Sequence, residues 1–194
     1  MKKKLIAILA LAVMVMGTSV TAAAAETKTA EESAAEEVTE AAEETEERDY
    51  NPEEGKGWLT AEINEEPVEF EYAGQTKGIT GTTYTFKSED FTMTVIFNKS
   101  LEVDKEMDKN AITQIEVVSS DKASVGYYFT KKSSGKDVES TVTLKEKTDD
   151  GLLQGEFTVT VPTAERYVGD NKPGILPELK FTKGEFCFHV SDKK

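Results

Sequence analysis

Two stretches near the C-terminus decide how this chain folds. They are Leu152-Leu153-Gln154-Gly155-Glu156-Phe157-Thr158-Val159-Thr160-Val161 and Phe181-Thr182-Lys183-Gly184-Glu185-Phe186-Cys187-Phe188-His189-Val190. Superposed, Gly155 meets Gly184, Glu156 meets Glu185, Phe157 meets Phe186 and Val161 meets Val190. In both, a Gly at the strand entrance is followed by an apolar residue at every second position. That period marks a strand with one face on a core.

The two stretches are joined by the one long excursion of the chain, Pro162 to Pro177. Connections of that length without their own structure are uncommon in compact domains and are often functional. Arg166, Tyr167, Asp170 and Asn171 lie in it and are the leading candidates for a binding site. Upstream, Thr148-Asp149-Asp150-Gly151 reads as a hairpin turn in which Gly accepts positive φ. Before it, Val138, Ser140, Val142 and Leu144 alternate with polar residues, and Ser133-Ser134-Gly135-Lys136 is a turn. Val125, Tyr127 and Phe129 share a face, which sends Tyr128 to the polar side and adds it to the candidate site.

The same reading continues to Gly57. Ile115 and Val117 mark a strand, and Leu101 to Asn110 is either an edge strand or a helical turn. Phe91, Met93, Val95 and Phe97 form the clearest single strand, with Thr82 to Phe86 before it. Ala73 to Gly78 is read as a loop, and Trp58–Ile63 and Val68–Tyr72 as two strands joined by a turn. About nine short strands with no sustained helical period predict an all-β domain, residues 55–194. An antiparallel β-sandwich is preferred, and a partly closed β-barrel is the alternative. The expected inward-facing core residues are Phe70, Tyr72, Phe91, Met93, Val95, Phe97, Tyr127, Phe129, Val142, Phe157, Val159, Phe186, Phe188 and Val190.

Ahead of the domain are two segments of other character. Met1-Lys2-Lys3-Lys4, an apolar run from Leu5 to Met16 and Ala23-Ala24-Ala25 are the three parts of a secretory signal peptide, residues 1–25, cleaved after Ala25. Retention of the run as an anchor is the alternative. Residues 26–54 are an acidic Glu/Ala/Thr-rich tether, with thirteen acids against Lys28 and Arg48. Its Ala and Glu favour helix locally, yet it has no apolar stripe with which to dock, so it is read as disordered. The formal charge of the whole chain is −14, and the β-domain alone carries twenty-four acids against eighteen bases. That balance repels phosphate backbones and anionic surfaces, which argues against nucleic acid and against membrane contact beyond the signal segment.

With Leu59-Thr60-Ala61-Glu62-Ile63-Asn64 before an aromatic-bearing strand, and with Gly155-Glu156-Phe157 and Gly184-Glu185-Phe186, the chain resembles secreted bacterial all-β domains of unknown function that carry paired Gly-x-Phe strands. The likeness spans about residues 57–191, with Glu65 standing where such domains often have Gly in the first turn. It implies an extracytoplasmic β-domain and transfers no catalytic residue.

Residues that carry chemistry are few. His189 is the only histidine and Cys187 the only cysteine, two apart on the face opposite Phe188. A nucleophilic triad would have to be built on them, and a closed zinc site needs about four ligands, so no cofactor and no metal are expected. Carboxylate pairs are too abundant here to single one out, and Asp149-Asp150 and Asp170-Asn171 are explained by turn chemistry as readily as by calcium. Aromatics off the core are more informative, because Tyr and Trp give flat contact area for a sugar ring or a protein. Trp58, at the head of the first strand, is read as a cap on the core. The sequence therefore predicts a secreted, non-catalytic binding or adhesion module, its partner a glycan or an extracellular protein. A structural envelope domain assembling through a sheet edge is the alternative, and a carboxylate hydrolase ranks last.

Overall fold

The computed structural model describes residues 48–120, 125–133, 135–164 and 174–191. Residues 1–25, read as a signal peptide, and residues 26–47 of the expected tether lie outside the described residues. So do Arg166, Tyr167, Asp170 and Asn171. Among the described residues there is no helix. Ten strands follow one another: β1 (Gly57–Ile63), β2 (Glu66–Lys77), β3 (Thr82–Lys87), β4 (Phe91–Phe97), β5 (Glu106–Asp108), β6 (Ile112–Ser120), β7 (Val125–Lys131), β8 (Ser140–Lys147), β9 (Leu152–Pro162) and β10 (Glu178–His189). They make a single curled antiparallel sheet, a half-barrel, in the order β5-β8-β9-β10-β1-β2-β3-β4-β6-β7. The all-β reading holds.

Alternation explains the curl. Leu59, Ala61 and Ile63 of β1, Phe70 and Tyr72 of β2, Met93 and Val95 of β4 and Ile115 and Val117 of β6 are buried on one face, with polar residues between them. A sheet with one apolar face hides that face by bending around it. The two ends of the sheet approach one another: Tyr128 of β7 bridges Thr163 just beyond β9, and Ala164 N donates to Tyr127 O at 2.9 Å.

The two look-alike stretches are β9 and β10, and they pair with each other. Gly184 lies opposite Phe157, Phe186 opposite Gly155, and Glu185 opposite Glu156. The motif is thus laid against its own reversed copy, with each glycine beneath the partner's phenylalanine. Neither glycine sits at a strand entrance as the sequence pattern suggested. Both are interior to their strands, and both must be glycine: a Cβ on Gly184 would lie 2.4 Å from the Phe157 ring, and one on Gly155 2.8 Å from the Phe186 ring.

Two irregularities keep the faces in step. In β10 the buried positions run Leu179, Phe181 and then Gly184, Phe186, Phe188, a gap of three rather than two. A bulge between Phe181 and Gly184 absorbs the extra residue, with Lys183 held at φ 49°. In β2 a second bulge between Tyr72 and Gly74 lets the strand continue through Lys77, so Ala73–Lys77 is strand and not loop. Gln75, Thr76 and Lys77 find their ladder partners in Tyr84, Thr83 and Thr82. The ambiguous stretch after Leu101 contributes the three-residue edge strand β5.

Candidate functional site

On β7 the alternation runs opposite to expectation. Tyr128 is buried to 1% exposure, whereas Tyr127 and Phe129 are half-buried on the outer side, their rings stacked at 6.2 Å. The cause is Gly126, whose place leaves no room for a Cβ: one there would lie 2.6 Å from Ser119 Oγ and 2.8 Å from the Tyr128 ring. Gly126 and Tyr128 form the inner face of β7, and the more apolar trio of Val125, Tyr127 and Phe129 is left outside. Tyr128 therefore offers no ring to a ligand. Its hydroxyl accepts a hydrogen bond from Leu176 N at 3.0 Å, while Thr163 N donates to Pro177 O at 2.9 Å. The feet of the long excursion are pinned to each other and to the core. The remaining candidates from that excursion, Arg166, Tyr167, Asp170 and Asn171, lie outside the described residues.

Cys187 and His189 do share the outer face of β10, and residues at the end of the tether cover them. Arg48, Tyr50 and Pro52 step along Glu185, Cys187 and His189 two residues at a time. Arg48 reaches the Glu185 carboxylate at 3.5 Å, the Cys187 thiol donates to Tyr50 O at 3.4 Å, and His189 Nδ1 meets Pro52 O at 3.2 Å. Trp58 belongs to this strap and not to the core: its indole N–H donates to Asp49 O at 2.8 Å, Tyr50 meets it edge-on at 5.4 Å, and the Arg48 guanidinium lies 5.2 Å from its ring centre. His189 Nε2 faces Asp150 O at 3.1 Å, so both ring nitrogens are engaged with backbone. Burial, reinforced by the charges of Asp49 and Glu146, pushes the Cys187 thiol from 9.0 up to about 11.

A reactive nucleophile needs the opposite shift. Because the folded state keeps this thiol protonated, its contribution to stability is full below pH 9 and declines as the pH rises towards 11. We expect the stability advantage of the wild type over Cys187→Ala to shrink by about 2–3 kcal/mol across that window. Urea titrations of both proteins at several alkaline pH values measure it, and parallel curves would contradict the assignment. Among the described residues, the carboxylates displaced from their ordinary range are Glu102 and Asp150, held low by hydrogen bonds from Lys105 and Thr148 respectively. General acid catalysis requires a raised carboxyl. No group of three or more His, Cys, Asp or Glu among the described residues is arranged to hold a metal.

Among the described residues, a concavity of ligand size lies where the ends of β2, β4 and β8 meet the starts of β3 and β9. It is a groove of about 500 Å³. Its apolar floor includes Tyr84, Phe97, Leu153 and Val190. Tyr84 sits 5.9 Å from Phe97 and 5.0 Å from Phe188, so the floor is the top of the aromatic core. Burial raises the Tyr84 hydroxyl above its usual range. Lys77, Lys99 and Lys147 stand on the rim, and no Asp or Glu lines the groove. A second hollow, of about 410 Å³, adjoins the β10 bulge and is lined by Glu106, Glu156, Glu185 and Lys183 with threonines. Sequence reading missed the first groove, since its three lysines are separated by more than twenty residues each. Comparison of the chain with protein-family models, with curated proteins and with solved structures gives no match in any of the three.

Proposed function

We propose that this chain is a secreted, non-catalytic binding module whose ligand seats in the groove between β2, β4 and β8. The observation that carries the reading is the groove itself: a preformed hollow with an aromatic and aliphatic floor and a few convergent polar groups, which is the usual make-up of a ligand site. Its volume of about 500 Å³ falls within the range of such sites. The chemistry of the candidate nucleophiles also favours binding over turnover, since Cys187 is covered and driven towards the thiol form and His189 clips the strap to the β8–β9 turn. Export rests on the N-terminal segment, and the tether would hold the domain away from the cell surface. The long excursion with Arg166 and Tyr167 is proposed as a second contact for a glycan or protein partner.

Assembly through a sheet edge is less well supported. β5 is three residues long with Glu106 and Asp108 flanking Met107, and β7 is already contacted by Thr163 and Ala164. Short, charged or covered edges resist pairing with another chain.

The test is a binding screen of the full chain against glycans, extracellular proteins and small molecules, repeated with Lys99→Glu/Lys147→Glu. A ligand that the wild type holds and the variant loses supports a groove-based module. A ligand held equally by both moves the site off the groove, and a screen without any ligand removes the reading.

A further inference from the structure

Granting the binding reading, we infer that the groove takes an amphipathic anion: an apolar body laid on Tyr84, Phe97, Leu153 and Val190, and a carboxylate or phosphate head held by the rim lysines. The first observation is an inversion of charge. Acids outnumber bases in the β-domain by twenty-four to eighteen, yet the groove is lined by three lysines and by no acid. The second is the state of two of those lysines, Lys99 and Lys147. Lys105, Lys145, Lys180 and Lys183 each pair with a glutamate. Among the described residues Lys99 and Lys147 pair with none. Two ammonium groups without an ion-pair partner beside an apolar floor suit an external anion, because charge-assisted hydrogen bonds are the strongest polar contacts such a site can make.

One further feature fits a ligand with an apolar body. At the mouth, Gly78 N donates to Gly81 O at 2.9 Å, closing the β2–β3 hairpin, and Ile79 at its tip is fully exposed. Gly78 and Gly81 both line the groove, so the hairpin tip that carries Ile79 adjoins it, within reach of a tail that extends past the floor.

The experiment is calorimetric titration of the full chain with dodecanoate, dodecyl phosphate, dodecyltrimethylammonium and inorganic phosphate, each below its aggregation limit, and with phosphatidylglycerol vesicles. Both amphipathic anions are expected to bind. The cationic tail and inorganic phosphate are each expected to bind at least about tenfold more weakly, since each lacks one half of the recognition. Lys99→Glu/Lys147→Glu should weaken the anions by at least about tenfold at unchanged thermal stability, and raised salt should act in the same direction. Ile79→Ser should weaken dodecanoate and leave a short-chain carboxylate unaffected. Equal affinity for the cationic tail, or indifference to the double charge reversal, would overturn the inference. Binding to vesicles alone would also overturn it and make this end of the sheet a membrane-facing surface. If the anions fail while another ligand from the screen is lost in the double variant, the module stands and the ligand class is wrong. If nothing responds to the variant, both fall together.

Discussion

Gly184→Ala is expected to destabilise the domain by about 3 kcal/mol, and Gly155→Ala by a similar amount. Ordinarily a Gly-to-Ala change within a strand is neutral or helpful, because it restricts the unfolded chain. Here the new methyl has no space. At Gly184 it would lie 2.4 Å from Phe157 Cε1 and 2.6 Å from the Phe157 carbonyl oxygen. At Gly155 it would lie 2.6 Å from Thr143 O and 2.8 Å from Phe186 Cζ. A ring can tilt away from such a contact, whereas a carbonyl in the β8–β9 or β9–β10 ladder moves only with its strand. Adding Phe157→Leu to Gly184→Ala should therefore recover part of the loss and not all of it. For a domain whose total stability is roughly 5–15 kcal/mol, the single change is large. Urea melts of the two glycine variants and of the double variant measure it. A loss below about 0.5 kcal/mol would mean that the strands slide apart freely and that the Gly–Phe pairing does not fix their register.

That pairing has an electrostatic counterpart on the outer face. Laying the motif against its reversed copy sets Glu156 directly across from Glu185. Like charges in that position repel. Each has its own cation: Lys145 Nζ lies 3.3 Å from Glu156, and Arg48 Nη1 lies 3.5 Å from Glu185. Exposed pairs of this kind are individually weak, about 0–1 kcal/mol. Their position makes them more than decoration, because the second one comes from the strap that also covers Cys187. The residues from Arg48 onward thus complete the outer face of β10.

Most of the sheet was legible because strict alternation is a local property. Met93 and Val95, or Phe157 and Val159, announce a strand from a few consecutive letters, and the curl follows once all such strands need one interior. What escaped was decided by contacts between distant residues. Tyr128 was assigned outward because Val125, Tyr127 and Phe129 are the more apolar set, whereas the choice of face rests on Gly126 fitting against Ser119 and the Tyr128 ring. The bulge in β10 left a trace, the three-residue gap between Phe181 and Gly184, which alternation alone would have revealed. Gln75, Thr76 and Lys77 read as loop because nothing apolar marks them, yet hydrogen bonds to β3 make them strand. The strap reads as tether for a similar reason: three of its contacts use the backbone carbonyls of Asp49, Tyr50 and Pro52, which no side-chain pattern encodes. The groove is the extreme case, since Lys77, Lys99 and Lys147 meet only through the fold.

Phe188→Ala is expected to have the largest effect of any single truncation, a loss of about 4 kcal/mol. Phe188 is fully buried and is the ring on which four others converge: Tyr72 at 4.9 Å, Tyr84 at 5.0 Å, Phe86 at 5.2 Å and Phe186 at 5.8 Å. Removing it leaves a cavity walled by aromatic rings from β2, β3 and β10, and strands held in a ladder collapse into such a space only in part. Phe188→Leu, which keeps most of the volume and loses the ring contacts, should lose about half as much. The contrast separates filling from aromatic packing. The same substitution also reaches the groove, because Tyr84 rests on Phe188 and would lose its support from below. Thermal melts give the stability. Titration of Phe188→Leu with dodecanoate, at a temperature where it is fully folded, gives the coupling. Weaker binding by this folded variant would tie the aromatic core to the site above it. Unchanged binding would show that the floor is held by Phe97 and the β3–β4 ladder alone.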